Sequence, residues 1–418
     1  MANANTVADL LEHVGRQERA IKKISVTPIS YRPADGSVIH ECGPVILSKR
    51  DEAIVEIWTD DGLKGIGPAS VAEAQQNYDH LIGKNPFDLL GADIIPGVDI
   101  ACWDIVGRGK GQPVYKLLAM GSEIENPHVH VYASGGVMWT YYDRGDGSAY
   151  GAEALIEEAL RYKELGFDAF KWRPGTDWEE AGINPQKLGD ICRKVRAAVG
   201  DDFKMGLEKK GYDSWTFAQC LEIAPIISEL GFYFFEQPMG DAGPKQFADY
   251  RELKEKMPNV MLWGGESFRS FADAEPWMRE GIYDAVQTDC YHLGLTQNWR
   301  VAQLARETGT KMVPHNWSTS LGTMCNAHFV AGVGGHMCEF FMYPSEFRYG
   351  LFKEPYRPQD AHITLDAAPG FGVELVGDFA DKFPYIPGPN TLANPRFPHA
   401  WERARAREKV VRDSYVGI

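Results

Sequence analysis

The chain has 418 residues, 44% of them apolar and 12% aromatic, and a formal charge of −15. That length and apolar content can bury a large core and suit two or three domains. The acidic balance argues against nucleic acid or anionic lipid as a partner, because both reward clustered Lys and Arg. Seven cysteines, an odd number with no CxxC, read as reduced thiols of a cytoplasmic enzyme. No stretch reads as an export signal or a membrane span.

Residues 1–22 read as an N-terminal arm. "KISVTPISY" (23–31) and "EAIVEIWTDDGLKGIGPAS" (52–70) are rich in β-branched residues, and the second is folded back at Asp60-Asp61-Gly62. Residues 71–83 and 97–121 carry apolar residues at helical spacing, with Val98, Ala101, Cys102, Ile105 and Val106 on one face. Residues 23–127 are therefore expected to form an α+β domain.

From residue 128 the pattern repeats: a short apolar strand, then a helix. Strand-like stretches fall at 128–134, 168–175, 203–211, 232–238, 260–267, 284–290, 311–317 and 336–342, and helical stretches such as 151–166, 185–200 and 296–309 close on glycine. Near-continuous apolar strands alternating with helices imply a parallel sheet, and eight of them an α/β barrel over 128–365. Residues 366–418 are expected to return to the first domain through "APGFGVEL" (368–375). They then run into a Pro-rich tail (382–400) and a charged, helix-like end (401–415) suited to a subunit contact.

In such a barrel the chemistry sits at the C-terminal strand ends. The last seven stretches end on Lys171, Glu208, Glu236, Glu266, Asp289, His315 and Glu339, and from Glu208 onward these recur about once per βα period. Glu208, Glu236 and Glu266 would converge, and three buried carboxylates must be protonated or neutralised. A divalent cation does this. All-oxygen ligands favour a hard ion, Mg2+. Asp289 on the strand next to that of His315 could fix the imidazole tautomer and raise its basicity. Lys171 and Arg173, on one side of the pleat, would face an anion.

On these residues the chain resembles the enolase superfamily, and within it the mandelate racemase subgroup, over about residues 23–380. The resemblance implies a (β/α)7β TIM-like barrel with an N-terminal α+β capping domain and one Mg2+ per subunit held by Glu208, Glu236 and Glu266. It also implies a His315–Asp289 dyad, a last-strand acid, Glu339, that hydrogen-bonds the developing enolate, and a homo-oligomeric assembly. Two departures stand out. The subgroup's Lys-x-Lys on the second strand is Lys171-Trp172-Arg173 here, and its Asp-x-Asn on the third is replaced by Glu208-Lys209-Lys210. Arg stays protonated, which disfavours two-base racemisation.

A pocket of Lys171, Arg173, Lys210 and His315 around Mg2+ suits a polyhydroxylated carboxylate. The expected activity is dehydration of a small sugar acid, aldonate or aldarate, to a 2-keto-3-deoxy acid, with either His315 or Lys171 taking the α-proton. The loop around 30–43 would close the pocket, with His40 a candidate contact. Epimerisation or cycloisomerisation on the same scaffold is the nearest alternative, and a barrel that only binds metal or sugar acid is an alternative of another class.

Overall fold

The computed structural model describes residues 6–34, 36, 39–42, 45–122, 124, 127–136, 152–173, 184–208, 215–343 and 346–393. The arm contains a helix, α1 (Val7–Val14), opened by a Thr6–Asp9 capping box and burying Leu10 and Val14 against its own chain. Five strands follow: β1 (Ile21–Tyr31), β2 (His40–Cys42), β3 (Val45–Leu47), β4 (Arg50–Thr59) and β5 (Lys64–Ala69). β1, β4 and β5 form an antiparallel sheet with β4 in the middle. The β4–β5 turn closes at Gly62, whose positive φ of 89° the expected Asp-Asp-Gly signal supplies.

Residues 71–83 do not form the expected helix. They make two single 3-10 turns, Glu73–Gln75 and Asp79–Leu81. Local bonds compete with the helix there: Asn77 Oδ1 accepts from Asp79 N (2.7 Å) and the Tyr78 hydroxyl donates to Glu73 O (2.8 Å). The helix over 97–121 forms as two pieces, α2 (Pro96–Lys110) and α3 (Val114–Leu118), divided at Gly111 in the left-handed region.

Every residue of α2 from Gly97 to Gly107 is buried, on all sides and not only on the expected apolar face. One side lies on β5 with backbone against backbone. A Cβ on Gly67 would strike the Gly97 carbonyl, and one on Gly97 would strike the Pro68 carbonyl.

The barrel strands are β6 (His128–Gly135), β7 (Ala169–Trp172), β8 (Lys204–Glu208), β9 (Phe234–Glu236), β10 (Met261–Gly264), β11 (Ala285–Val286), β12 (Lys311–Met312) and β13 (Cys338–Phe341). They pair in parallel in sequence order, and β13 pairs with β6. The seam between β12 and β13 is bridged by His336 N to Met312 O (2.8 Å) and Glu339 N to Pro314 O (3.2 Å).

Helices α4 (Ala152–Glu164), α5 (Pro185–Val199), α6 (Phe217–Glu229), α7 (Phe247–Lys256), α8 (Phe271–Arg279), α9 (Cys290–Thr308) and α10 (Ser320–Val333) each follow one of the first seven strands. Among the described residues only one turn, Glu346–Tyr349, follows β13 closely. This is the (β/α)7β arrangement.

β14 (His362–Thr364) then lies antiparallel outside β6, and the chain runs back over the first sheet. The 368–375 stretch is not a strand: it makes single bridges, Gly370 to Pro113 and Leu375 to Phe352, while Phe371 N donates to Asp104 Oδ1 (3.0 Å). Pro384 bridges Ile29, and β15 (Thr391–Ala393) pairs with β3. The charged end at 401–415 lies outside the described residues.

The other side of α2 meets the barrel at α9, which breaks at Gly294 (φ 76°, ψ 169°). At the break Asp99 of α2 accepts from Thr296 N (3.0 Å) and from the Thr296 hydroxyl (2.6 Å), and Trp103 Nε1 reaches the same hydroxyl (2.9 Å). The carboxylate of the first module thus caps the second half of a barrel helix.

Inside the barrel, Tyr132, Ala169, Phe234, Trp263, Ala285, Val313 and Met337 form an apolar cluster of their own. The Phe234 and Trp263 rings are stacked at 3.6 Å between centroids.

Gly97→Ala should destabilise the protein by about 1–3 kcal/mol, because helix and strand must part to admit a methyl group. Urea unfolding tests this, and an unchanged midpoint would show that the α2–β5 contact is looser than described.

Candidate active site and metal centre

The apolar cluster is a floor, and the charged residues stand one pleat above it. Side chains two residues apart on a strand share a face. Ala169 thus places Lys171, Phe234 places Glu236, Ala285 places Gln287, Val313 places His315 and Met337 places Glu339. Glu208 ends β8 directly opposite Glu236, which ends β9. Glu266 follows β10 by two residues, Asp289 is the N-cap of α9, and His315 follows β12 by three. Glu339 differs from the expected strand-end position: it is the second residue of β13, and its side chain rises from inside the strand.

Lys171 lies among the carboxylates. Its Nζ is 2.8 Å from Glu208 Oε2, 2.9 Å from Glu236 Oε1 and 2.8 Å from Glu339 Oε1, and all four residues are buried. Burial alone would strip the ammonium of its proton, but Glu236 and Glu339 outweigh it and hold the pKa above the ordinary lysine value. Burial raises Glu236 against the pull of Lys171. Glu339 is held below the usual range despite its burial, by Lys171 and His315. Its Oε2 also accepts from Asn316 N (2.9 Å). In this arrangement Glu339 is an acceptor, whereas hydrogen-bonding an enolate would require it to carry a proton.

His315 Nδ1 donates to Asp289 Oδ2 (3.0 Å), and Asp289 is itself fixed by Asn326 Nδ2 (2.8 Å) and Tyr291 N (2.9 Å). Burial would depress the imidazole pKa; Glu266, Glu339 and Asp289 overcome this and raise it. With Nδ1 engaged, Nε2 faces the carboxylates, 3.7 Å from Glu266 Oε2 and 4.0 Å from Glu339 Oε2.

Arg173, expected to face a substrate anion, turns its guanidinium to Glu208 and lies 5.1 Å from the ring centroid of Trp317. A buried carboxylate one strand away is the nearer anion. Lys209 and Lys210 lie outside the described residues, as does the side chain of His40, whose backbone opens β2 and is not part of a loop. Sequence reasoning missed Gln287, whose Nε2 donates to Glu236 Oε2 (2.8 Å). The two-residue pitch in "DAVQTDC" could have found it. It also missed Asn316, Asn326 and Glu52, which act across separations with no sequence signal.

Glu208, Glu236 and Glu266 each offer a ligand oxygen, all within 4.8 Å of one another. An all-carboxylate set with Glu236 driven toward neutrality by its surroundings fits a hard divalent cation, which supplies the charge that Lys171 and Arg173 only partly provide.

A family described as enolase C-terminal domain-like matches residues 154–379. An arabinonate dehydratase of Saccharolobus solfataricus is 28% identical over 285 residues, 67% of this chain and 69% of its own length. A D-galactarolactone cycloisomerase of Agrobacterium fabrum is 25% identical over 377 residues, 82% and 94% of the two chains. The solved structure of an enolase superfamily member from Polaromonas superposes with a TM-score of 0.72 at 24% identity, covering 88% of this chain and 99% of that one.

Two substitutions separate the charges. Glu236→Gln should weaken Mg2+ binding at least tenfold by calorimetry, and unchanged affinity would remove Glu236 from the ligand set. Lys171→Met should destabilise the metal-free protein by about 3–5 kcal/mol, as stranded buried charges do. Added Mg2+ should recover part of that loss in a melting experiment.

Proposed function

The chain belongs to the enolase superfamily, and on that premise we propose that it is a Mg2+-dependent dehydratase of a sugar acid, an aldonate or an aldarate. The observation that carries the reading is one poised base, the single such group among the described residues, beside the carboxylate triad: His315, tied by Nδ1 to Asp289, with Nε2 toward Glu266 and Glu339. Glu208, Glu236 and Glu266 would hold the ion. When bound, Mg2+ supplies a Lewis acid for the substrate carboxylate, which eases charge build-up as the α-proton leaves.

His315 Nε2 takes that proton. The resulting imidazolium, stabilised by Asp289, returns it to the β-hydroxyl on the same face, which departs as water. The enol left behind becomes the 2-keto-3-deoxy acid. Lys171 acts as an ammonium, with Glu339, which is outside the ligand set, 2.8 Å from its Nζ. It stabilises negative charge on the substrate and does not act as a second base. This favours dehydration over racemisation or epimerisation, which need a base on each face of the carbon. It also separates the chain from a barrel that only binds ligand, which has no use for a base fixed by a buried carboxylate.

Cycloisomerisation of a sugar-acid lactone is the second reading, favoured by the likeness to the Agrobacterium enzyme over 82% of this chain. It too needs only one base at the α-carbon.

Screening aldonic and aldaric acids with Mg2+ should give a 2-keto-3-deoxy acid from at least one, detected by its colour reaction. His315→Asn should lower that rate by about 10²–10⁴-fold while Mg2+ still binds. Largely intact turnover would overturn the assignment, and α-proton exchange in D2O without a keto acid would move the reading to cycloisomerase.

A further inference from the structure

Glu236 and Glu266 are each followed by a polar residue, Gln237 and Ser267, and both of those side chains turn to the same carboxylate. Asp241 Oδ2 accepts from Gln237 Nε2 and from the Ser267 hydroxyl, while Asp241 Oδ1 accepts from the Tyr283 hydroxyl. Asp241 stands in the loop after β9, Ser267 in the loop after β10, and Tyr283 just ahead of β11. One half-buried side chain thus ties three successive units of the barrel together. It lies outside the ligand set: among the described residues the cluster that could hold a metal is Glu208, Glu236 and Glu266.

The backbone on either side of this bridge needs holding. Gln237 is fully buried with a φ of 40°, in the left-handed region that a non-glycine residue enters only at a cost. Its N–H donates to Trp263 O (3.0 Å), which carries the β9–β10 pairing one residue past Glu236. Such a conformation persists where the surroundings fix it, and the bond from the Gln237 amide to Asp241 is one of those constraints. Glu266 is reached through two glycines, Gly264 and Gly265, the second at φ 96°. A Cβ on Gly264 would strike the Tyr283 ring, so that ring rests on the backbone two residues ahead of Glu266. The ring is itself stacked on Trp277 at 4.7 Å, and its hydroxyl is the one that Asp241 holds. Glu208 is placed differently, by Lys171 and Arg173.

We propose that Asp241 is a positioning residue of the metal centre: it couples the backbones that carry Glu236 and Glu266, and so sets their spacing for a small ion, favouring Mg2+ over Ca2+. The inference rests on the glutamates as Mg2+ ligands and not on the reaction. Mg2+ demands near-octahedral geometry with short bonds, whereas Ca2+ accepts longer and more variable ones. Loosening the pair therefore costs Mg2+ more.

The test is calorimetry with Mg2+ and, separately, with Ca2+ on the wild type, Asp241→Asn, Asp241→Ala and Ser267→Ala, each checked for folding by circular dichroism. The Asp241 variants should lose about tenfold or more in Mg2+ affinity and less than about threefold in Ca2+ affinity. Ser267→Ala, at an exposed position, should shift the ratio the same way by a smaller factor, and it decides the matter if the Asp241 variants do not fold. An equal fall for both ions is what the loss of a nearby charge would give, and it would overturn the proposal. So would an unchanged Mg2+ affinity. A wild type that binds no Mg2+ overturns the metal centre together with this inference. A shifted ratio in a protein that makes no keto acid sinks the dehydratase reading and leaves the role of Asp241 standing.

Discussion

Three carboxylates share one ammonium at the mouth of the barrel, and most of the surrounding architecture serves that crowding. Like charges in a water-poor site repel and each loses hydration, so the cluster persists only where every lone pair and every proton has a fixed partner. The apolar floor fixes where the side chains emerge. Gln287, Arg173 and the Asn316 backbone N–H take up the oxygens that Lys171 does not reach, on Glu236, Glu208 and Glu339 in turn. The negative charge still outruns the positive, which makes the site receptive to a small, highly charged cation. A base one strand further on is then raised by the same carboxylates.

Much of this was legible in the sequence because a barrel turns chain position into spatial position. Ionisable groups recurring once per βα unit must meet at one rim, and the Glu208, Glu236, Glu266, Asp289 and His315 set emerged in that way. What failed, failed for local or for long-range reasons. Residues 71–83 have a helical spacing of apolar groups, but Asn77 and Tyr78 offer their neighbours better hydrogen bonds than a helix would. Arg173 shares a strand face with Lys171, yet which anion it meets depends on the register of β8 against β7, and no pattern within "KWRPG" encodes that. The Glu52–Thr319 contact joins residues 267 apart, and nothing near either residue predicts the other.

The first module and the barrel divide the work unevenly. The barrel supplies the candidate reacting groups from strands locked by backbone pairing. The first module supplies β1 and β4, whose ends face the cleft beside His315 and carry Tyr31 and Arg50. On the proposed function, the chemistry rests on strands locked by backbone pairing, and the first module forms one wall of the cleft next to them.

The cap that Asp99 places on α9 also has a consequence for how the chain is made. α2 is buried on every side, and its second partner, Thr296, is translated 197 residues later. Until the sixth βα unit emerges from the ribosome, the Trp103 indole N–H and the Asp99 carboxylate lack their Thr296 partners, and Asp99 has the Gly91 N–H from its own module. The N-terminal third thus gains the last of its packing only late in synthesis. The distance along the chain between an aspartate and the helix it caps therefore sets how long α2 waits for its last hydrogen bonds.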